Sequence, residues 1–442
     1  MRRLRTNLRT EKRKDERGVI ITLVAVFMLF VVGAMAALSI DVVTIYTARS
    51  EAQLAADSAA LAAARVLANS GATSDPNAVA DGLMANAWTL ATAVALQIAE
   101  QNQVGGANLT SSQITIPTAP GGTVTNPKFT ISVRVTNLPT FFARIWGTTQ
   151  LTVGASATAE AYNPSATTGV STGGMRPLVA PLCVKPWLLP NMSPRPGTGG
   201  SNIFDPVTGA INDTNLLGWT STNATRMSVA CPGGNCSGVP LPLPAPVAWK
   251  YYPGDPSSFP APTTALSSCS LIPVPTPYQQ SIAGCIQTPI TCNSQVAFDT
   301  ADDTTRNYET AEAVNCLTHA TGNQGDTVTS TGNPPTAPFQ FVAGNDNPIS
   351  ALAGSNVMVS DSLVTVPVFN STSITAPTNP VTIIGFVQLF LNPEGFRTPT
   401  GGNVGQVKTT VINLAGCGTA ASGAPIVGNG ASPVVVRLIS GS

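Results

Sequence analysis

Histidines, cysteines and paired carboxylates are the side chains that most often carry catalysis or bind metals, and this chain offers few usable patterns of them. His319 is the only histidine in 442 residues. It lies among threonine and asparagine, which is typical of a surface residue rather than of a catalytic triad. The sequence contains no G-x-S-x-G, Walker A or H-E-x-x-H motif. We therefore expect no catalytic site and no cofactor, and an enzyme is the least favoured class.

One acidic cluster in the second half of the chain invites comparison with calcium sites. Its members are Asp299, Asp302, Asp303 and Glu309. The spacing does not fit an EF-hand loop, because Ala301 takes the third position and Thr310 stands where a bidentate glutamate is needed. We favour a solvated loop over weak calcium binding and predict no metal site.

All cysteines follow residue 180, and their number is even. They are Cys183, Cys231, Cys236, Cys269, Cys285, Cys292, Cys316 and Cys417. This pattern predicts disulfides in an oxidising compartment, with buried free thiols as the alternative. Zinc is less favoured, because zinc sites need paired C-x₂₋₄-C motifs and usually histidine. The one pairing that the sequence supports is Cys231–Cys236, since Pro232-Gly233-Gly234 can turn the chain sharply between them.

The element that must position everything else is an apolar segment near the N-terminus. Val19–Ile40 is a run of 22 nearly uninterrupted apolar residues, the length that a helix needs to cross a hydrocarbon core of ~30 Å. No proline precedes Pro76. We expect one helix from Val19 to Asn69, ~75 Å long, ended by Gly71.

Charge around this segment predicts its orientation. Residues 1–17 carry eight basic and three acidic side chains, a net charge of +5, and the rest of the chain carries −5. Clustered Lys and Arg beside a first transmembrane segment stay in the cytoplasm. We expect a single-pass protein of the inner membrane, with a cytoplasmic leader (1–17), a transmembrane helix (18–40) and an extracytoplasmic bulk. Nucleic-acid binding is not expected, because nothing beyond the leader is sufficiently basic.

A cleaved signal peptide is the main alternative to this anchor. Ala34-Met35-Ala36 has the small-x-small pattern of a signal-peptidase site. Cleavage there would release a soluble periplasmic or secreted protein. We favour retention, because the apolar run and the helical pattern continue through Leu38 and Ile40.

Residues 41–162 are predicted to form an α+β domain. Asp75-Pro76 predicts the start of a second helix. Its apolar stripe comprises Val79, Leu83, Ala87, Leu90, Val94 and Ile98. From Ser112 to Tyr162 the apolar spacing changes to two, as in antiparallel strands, with alternation over Phe129–Val135 and Leu151–Ala161.

The second half of the chain has a different composition. Residues 163–177 form a Ser/Thr/Gly-rich linker, and residues 178–442 contain most of the 37 prolines and 39 glycines. We expect disulfide-braced loops over 190–350, a weak helix near Asp303–Thr318 and then antiparallel strands. The predicted strands are Val357–Val359, Leu363–Phe369, Val381–Leu391, Val407–Leu414 and Val434–Ile439. The overall fold class is α+β.

Several short motifs along residues 17–162 form a familiar combination. They are Arg17-Gly18 before the apolar run, Ile40-Asp41 at its end, Tyr46, Arg49, the sequence AADSAALA at 55–62 and LPTFFARIWG at 138–147. The combination resembles the Flp pilus-assembly TadE/TadG-like family. The resemblance implies an inner-membrane, pilin-like accessory protein of bacterial tight-adherence pili. Leu23 stands where Flp-type pseudopilins carry glutamate, which argues against prepilin-peptidase cleavage and incorporation into a fibre.

Six side chains of the long helix are candidates for helix packing and assembly: Asp41, Tyr46, Arg49, Asp57, Ala59 and Ala63. Asp41 either fixes the depth of the helix in the membrane or pairs with a cation of a neighbouring subunit. Asp57 either pairs with a cation on another helix or belongs to a solvated face. The alanines would allow a helix of a partner to approach closely.

Two hypotheses of function follow. The first is a non-enzymatic, membrane-anchored structural or assembly component of a tight-adherence pilus or related secretion apparatus. Its partners would be the lipid bilayer, other pilus-assembly proteins and copies of itself. The second is a secreted or surface-displayed adhesin-like binding protein, whose N-terminal segment is only an export signal.

Overall fold

The structure is a computed structural model in which helix and sheet are mixed, as the composition pattern predicts. It describes residues 8–147, 149–165, 177–195, 201–221, 227, 252–253, 276–285, 288–296, 305–318, 324–329, 334–347, 349–371, 380–393, 407–428 and 432–439.

Four α-helices occur in these ranges: α1 (Leu8–Asn69), α2 (Leu83–Glu100), α3 (Pro277–Ala283) and α4 (Thr305–Leu317). With 62 residues, α1 is about 93 Å long. It ends at the predicted residue, and Gly71 follows with a left-handed φ of 84°. Helix α4 confirms the weak helical pattern near residues 303–318.

The second helix starts seven residues later than Pro76, its predicted first residue. The Asp75 carboxylate accepts the N–H of Asn77 at 2.8 Å, but residues 76–82 form turns rather than a helix. Val79, the first residue of the predicted stripe, is 67% exposed. The buried side chains of α2 are Leu83, Met84, Ala87, Trp88, Ala91, Ala95 and Ala99. Alanines therefore supply most of the contact face that larger side chains were expected to supply.

Eighteen strands lie in the described ranges. Six of them precede residue 163: β1 (Gln103–Val104), β2 (Ala107–Asn108), β3 (Ile114–Thr115), β4 (Gly121–Thr123), β5 (Asn126–Pro139) and β6 (Gln150–Tyr162). The others are β7 (Val179–Ala180), β8 (Trp187–Pro190), β9 (Tyr252–Pro253), β10 (Gln295–Val296), β11 (Thr327–Thr329), β12 (Gln340–Val342), β13 (Asn356–Val357), β14 (Leu363–Phe369), β15 (Val381–Leu391), β16 (Thr409–Gly416), β17 (Ile426–Val427) and β18 (Val435–Ile439). The bounds of β14 and β15 agree with the prediction residue for residue.

The chain divides into two compact units. The first comprises Met1–Ser58, Leu96–Ile116 and Ile131–Ala157, and the second comprises Ala59–Ala95, Pro117–Thr130 and Thr158–Ser442. The domain boundaries inferred from composition remain a prediction. Of the predicted linker, residues 166–176 lie outside the described ranges.

One sheet has the strand order β18-β6-β5-β3, with β4 also paired to β5. Phe129, Ile131, Val133 and Val135 are all buried on one face of β5, which confirms the predicted alternation. The C-terminal strand β18 runs antiparallel to β6, with Val435 opposite Tyr162. The sequence pattern had grouped this strand with the outer β region, so its pairing with the hairpin is a correction.

The largest sheet has the order β10-β15-β14-β8-β9, with β16 also paired to β15. Strands β14, β15 and β16 are antiparallel, as predicted. The pairs β8–β14 and β7–β17 are parallel, which the sequence did not predict. Every residue of β14 is buried, as expected of a continuous apolar run that is covered on both faces.

Two disulfides join distant segments of this region: Cys183–Cys285 and Cys292–Cys417. Cys316 is disulfide-bonded as well. The expectation of disulfide bracing is thus confirmed. The predicted Cys231–Cys236 pair lies outside the described residues, as does Cys269.

We expect the long-range disulfides to contribute a large part of the free energy of unfolding of this region. Cys292 and Cys417 are 125 residues apart, and a cross-link over such a loop contributes about 2–5 kcal/mol. Replacing both by alanine should lower the free energy of unfolding by that amount in denaturant titrations of the detergent-solubilised protein. Peptide mapping without reduction should recover both linked pairs. Ready thiol labelling of all eight cysteines without a reductant would contradict the assignment.

Candidate functional site

The first part of α1 presents a long apolar surface. Sixteen large apolar side chains between Val19 and Val43 are 40–75% exposed. Among the described residues, α1 is the one helix that is long and apolar enough to cross a membrane. An exposed apolar surface of this extent marks a site of interaction, and its length suggests a membrane anchor.

Asp41 directly follows this apolar run and binds the loop between β5 and β6. Its Oδ1 accepts the N–H of Phe141 at 3.0 Å, and its Oδ2 accepts those of Phe142 at 3.0 Å and Ala143 at 2.6 Å. Asp41 is only 4% exposed, so these bonds replace the water that the carboxylate loses. The short 3₁₀ helix Ala143–Trp146 starts at this point. Asp41 therefore satisfies N–H groups that the start of such a helix leaves free.

Two further side chains of α1 bind the backbone of the first unit. Glu51 Oε2 accepts the N–H of Gly105 at 2.7 Å, and Gln53 Nε2 donates to the carbonyl of Ser156 at 3.4 Å. Gly105 has a φ of 63°, and a Cβ there would lie 2.4 Å from a methyl carbon of Leu138. Glycine is favoured at this turn, because other side chains are strained at a positive φ. Asp41, Glu51 and Gln53 together attach α1 to three separate segments of the unit.

The N-terminal helix is similar to a known protein family. Residues 18–66 match the family model described as putative Flp pilus-assembly TadE/G-like. We call residues 18–66 the TadE/G-like segment because of this similarity. The match confirms the resemblance of the N-terminal motifs over these residues and supports involvement in Flp pilus assembly. The hairpin motif at 138–147 lies beyond the match. No curated protein and no solved structure matches the chain.

All six candidate residues lie within the TadE/G-like segment, and they differ in exposure. Tyr46 is 70% exposed and Arg49 is exposed as well. Asp57 is half-buried, and its Oδ1 accepts a hydrogen bond from Gln53 Nε2 at 2.8 Å, one turn away. This bond agrees with the interpretation of Asp57 as part of a polar helix face.

Asp41, Ala59 and Ala63 lie on the buried face of the TadE/G-like segment. Both alanines are 0% exposed, so the protein's own fold covers them. Their role in admitting a helix of a neighbouring subunit remains a prediction. The Asp41 carboxylate has partners in its own chain, the N–H groups of residues 141–143, and its pairing with a cation of another subunit likewise remains a prediction.

Buried amide side chains hold the end of α1 in the second unit, and the sequence analysis missed them. Asn413 Nδ2 donates to the carbonyl of Ala68 at 2.7 Å, and Gln388 Nε2 donates to Asn69 Oδ1 at 3.2 Å. Asn69 Nδ2 donates in turn to the carbonyl of Met358 at 3.1 Å. The available signal was the presence of Gln388 and Asn413 within otherwise apolar strands, because a buried polar side chain needs partners.

A second group of bonds fixes the turn that follows α1. Ser74 Oγ accepts the N–H of Leu414 at 2.9 Å. Asn163 Nδ2 donates to the carbonyls of Leu414 at 2.8 Å and Thr73 at 3.1 Å. Both of these side chains are buried. The end of α1 and the turn that follows it are therefore hydrogen-bonded to β16.

Lys185 is a buried cation in the second unit, with 4% of its surface exposed. Its Nζ donates to the carbonyls of Ile282 at 2.5 Å and Gly284 at 2.8 Å, at the end of α3, where the helix dipole favours a cation. Burial lowers the pKa of Lys185 to about 7, and the charge of Asp361 opposes that shift.

The residues that first suggested chemistry lie mostly outside the described ranges. This applies to His319 and to Asp299, Asp302 and Asp303, whereas Glu309 lies on α4. Within the described part of the chain, no group of three His, Cys, Asp or Glu side chains could hold a metal ion.

We expect Asn413→Ala to destabilise the second unit by about 2–3 kcal/mol, because it leaves the buried Ala68 carbonyl without its donor. The measurement is the free energy of unfolding in denaturant. Asn215→Ala is the matched control, since Asn215 is exposed and such changes usually stay within about 0.5 kcal/mol. Equal stability of the two variants would show that the amide network contributes nothing.

Lys185 should give the protein a distinctive pH dependence. Its pKa is about 7 in the folded state against 10.5 in the unfolded state. Between these values the unfolded state binds the extra proton, so the free energy of unfolding rises with pH. We expect the wild type to gain stability relative to Lys185→Met from pH 7 to pH 9, with no change in the difference below about pH 6. A difference that stays constant up to pH 9 would contradict this.

Proposed function

We propose that the protein is a membrane-anchored, non-enzymatic component of a Flp-type tight-adherence pilus or a related secretion apparatus. One observation supports this proposal above all: the family match and the exposed apolar surface fall on the same segment. The segment that matches the TadE/G-like family, residues 18–66, contains the whole exposed apolar surface of α1. A single helix thus supplies both the family signature and a surface suited to lipid.

The basic leader supports an orientation with the N-terminus in the cytoplasm. Its net charge of +5 would hold residues 1–17 on the inner side of the cytoplasmic membrane. The part of the chain that follows the apolar run would then lie outside the cytoplasm, where disulfides such as Cys183–Cys285 form and persist.

The exposed face of α1 beyond the membrane is the surface that we assign to assembly partners. Tyr46 and Leu54 are 70% and 65% exposed, and Arg49 is exposed between them. Tyr46 and Arg49, three residues apart, share one face of the helix, whereas Leu54 lies about 140° around the axis from Arg49. Large apolar and cationic groups that are exposed around this part of α1 suit contact with another protein of the pilus-assembly machinery.

The anchor is tested by fractionation. We expect carbonate extraction to leave the full-length protein in the membrane pellet, and protease added to spheroplasts to remove the C-terminal region. N-terminal sequencing of the mature protein is the decisive control. Recovery of a soluble form that begins near Ala37 would favour the secreted, adhesin-like alternative instead.

The partner surface is tested by replacing exposed residues. We expect the double variant Arg49→Glu, Leu54→Asp to reach the membrane at normal levels and to reduce pilus-dependent adherence towards that of a deletion strain. Val427→Asp is the control, because Val427 is 53% exposed but lies outside the TadE/G-like segment. A photo-crosslinker at Leu54 should join the protein to other pilus-assembly proteins. Normal adherence and no such adduct would rule out this face as the contact.

A further inference from the structure

We propose that the loop at residues 140–147 is a second membrane contact, which Asp41 seats in the lipid headgroup layer on the outer side. This inference rests on the proposed membrane anchor and goes beyond it. It assigns a lipid-binding role to a loop that lies about 100 residues away from the anchor in sequence.

The depth of the loop follows from the length of the apolar run. The 22 residues of Val19–Ile40 span about 33 Å as a helix, close to the ~30 Å of a hydrocarbon core. A helix that fills the core therefore places Asp41 at the outer boundary. Since three backbone N–H groups of residues 141–143 lie within 3.0 Å of the Asp41 carboxylate, the loop must lie at the same level.

The side chains of the loop suit this layer. Phe141 is 65% exposed although its own N–H is bonded to Asp41, and Arg144 is exposed. Exposed phenylalanine inserts into the boundary between lipid headgroups and acyl chains in segments that lie on a membrane, and arginine pairs with lipid phosphates. On α1, Tyr46 and Arg49 repeat this aromatic–cationic pair within the next turns. Both the loop and α1 thus present an aromatic and a cationic side chain near the outer boundary.

At this depth the Asp41 carboxylate and the backbone N–H groups of the loop each need a hydrogen-bond partner. A charged side chain at the edge of the hydrocarbon is costly unless it is hydrogen-bonded, and so are backbone N–H groups without acceptors. The bonds of Asp41 satisfy both at once. Asp41 is therefore a positioning residue, which acts on lipid only through Phe141 and its neighbours.

Spin labels on the full-length protein in liposomes of phosphatidylethanolamine and phosphatidylglycerol test the inference. The described cysteines are all disulfide-bonded, so an introduced thiol can be labelled without reduction. Labels at Phe141→Cys, Val32→Cys and Leu54→Cys are compared for collision with oxygen, which enters lipid, and with a water-soluble nickel chelate. Val32 is 62% exposed within the apolar run, and Leu54 is 65% exposed, about 20 Å beyond Asp41 along the helix.

We expect the label at Phe141 to be oxygen-accessible and protected from nickel, at a depth between those at Val32 and Leu54. Adding Asp41→Asn, which keeps the shape but removes one acceptor oxygen, should raise nickel access at Phe141 several-fold and leave Val32 unchanged. Nickel access at Val32 would refute the membrane anchor itself. Protection at Val32 with a Phe141 value equal to that of Leu54 would refute the loop contact alone. An Asp41→Asn variant with unchanged depth at Phe141 would overturn the positioning role.

Discussion

An unbroken helix is the constraint on which the rest of this structure depends. Over 62 residues, α1 satisfies its own backbone hydrogen bonds, and only such a segment can pass from an apolar solvent into a folded protein without leaving amides unpaired. Its side chains can therefore change environment along the axis. They are exposed and apolar up to Val43, bonded to the first unit from Asp41 to Gln53, and enclosed by the second unit at Asn69.

Alanine side chains allow the last part of α1 to be enclosed by the rest of the protein. Ala55, Ala56, Ala59, Ala60, Ala63 and Ala64 are all 0% exposed. Such side chains favour the helix and let other elements pack close to its backbone. In the sequence, an alanine-rich stretch after a transmembrane segment suggested contact with another subunit, because close approach is what small residues permit. The fold uses that same property within the chain, whereas Tyr46 and Arg49, closer to the apolar run, are exposed.

Features that depend on local sequence were predictable, and features that join distant segments were not. Consecutive residues determine the strands at Leu363–Phe369 and Val381–Leu391, which are rich in β-branched side chains, and the end of α1 before Gly71. The disulfide partners and the pairing of β18 with β6 depend on the closure of long loops, which no local pattern reports. The start of α2 was placed wrongly for another reason. Aspartate followed by proline suits both a helix start and a turn, and here residues 76–82 form turns before α2 begins at Leu83.

Asp41 shows the same limit of prediction from local sequence. The position of Asp41 after an apolar run made it conspicuous in the sequence, but its partners are the backbone N–H groups of residues 141–143, which any residue type except proline could supply. Because these partners are backbone groups at fixed positions, the spacing between Asp41 and Glu51 along α1 is constrained. One residue inserted between Asp41 and Glu51 would turn one of them by about 100° and shift it by about 1.5 Å relative to the other. Either the bonds of Asp41 or the Glu51–Gly105 bond would then break. The spacing within α1 therefore fixes the end of the apolar run relative to the first unit, whatever the length of the leader that precedes it.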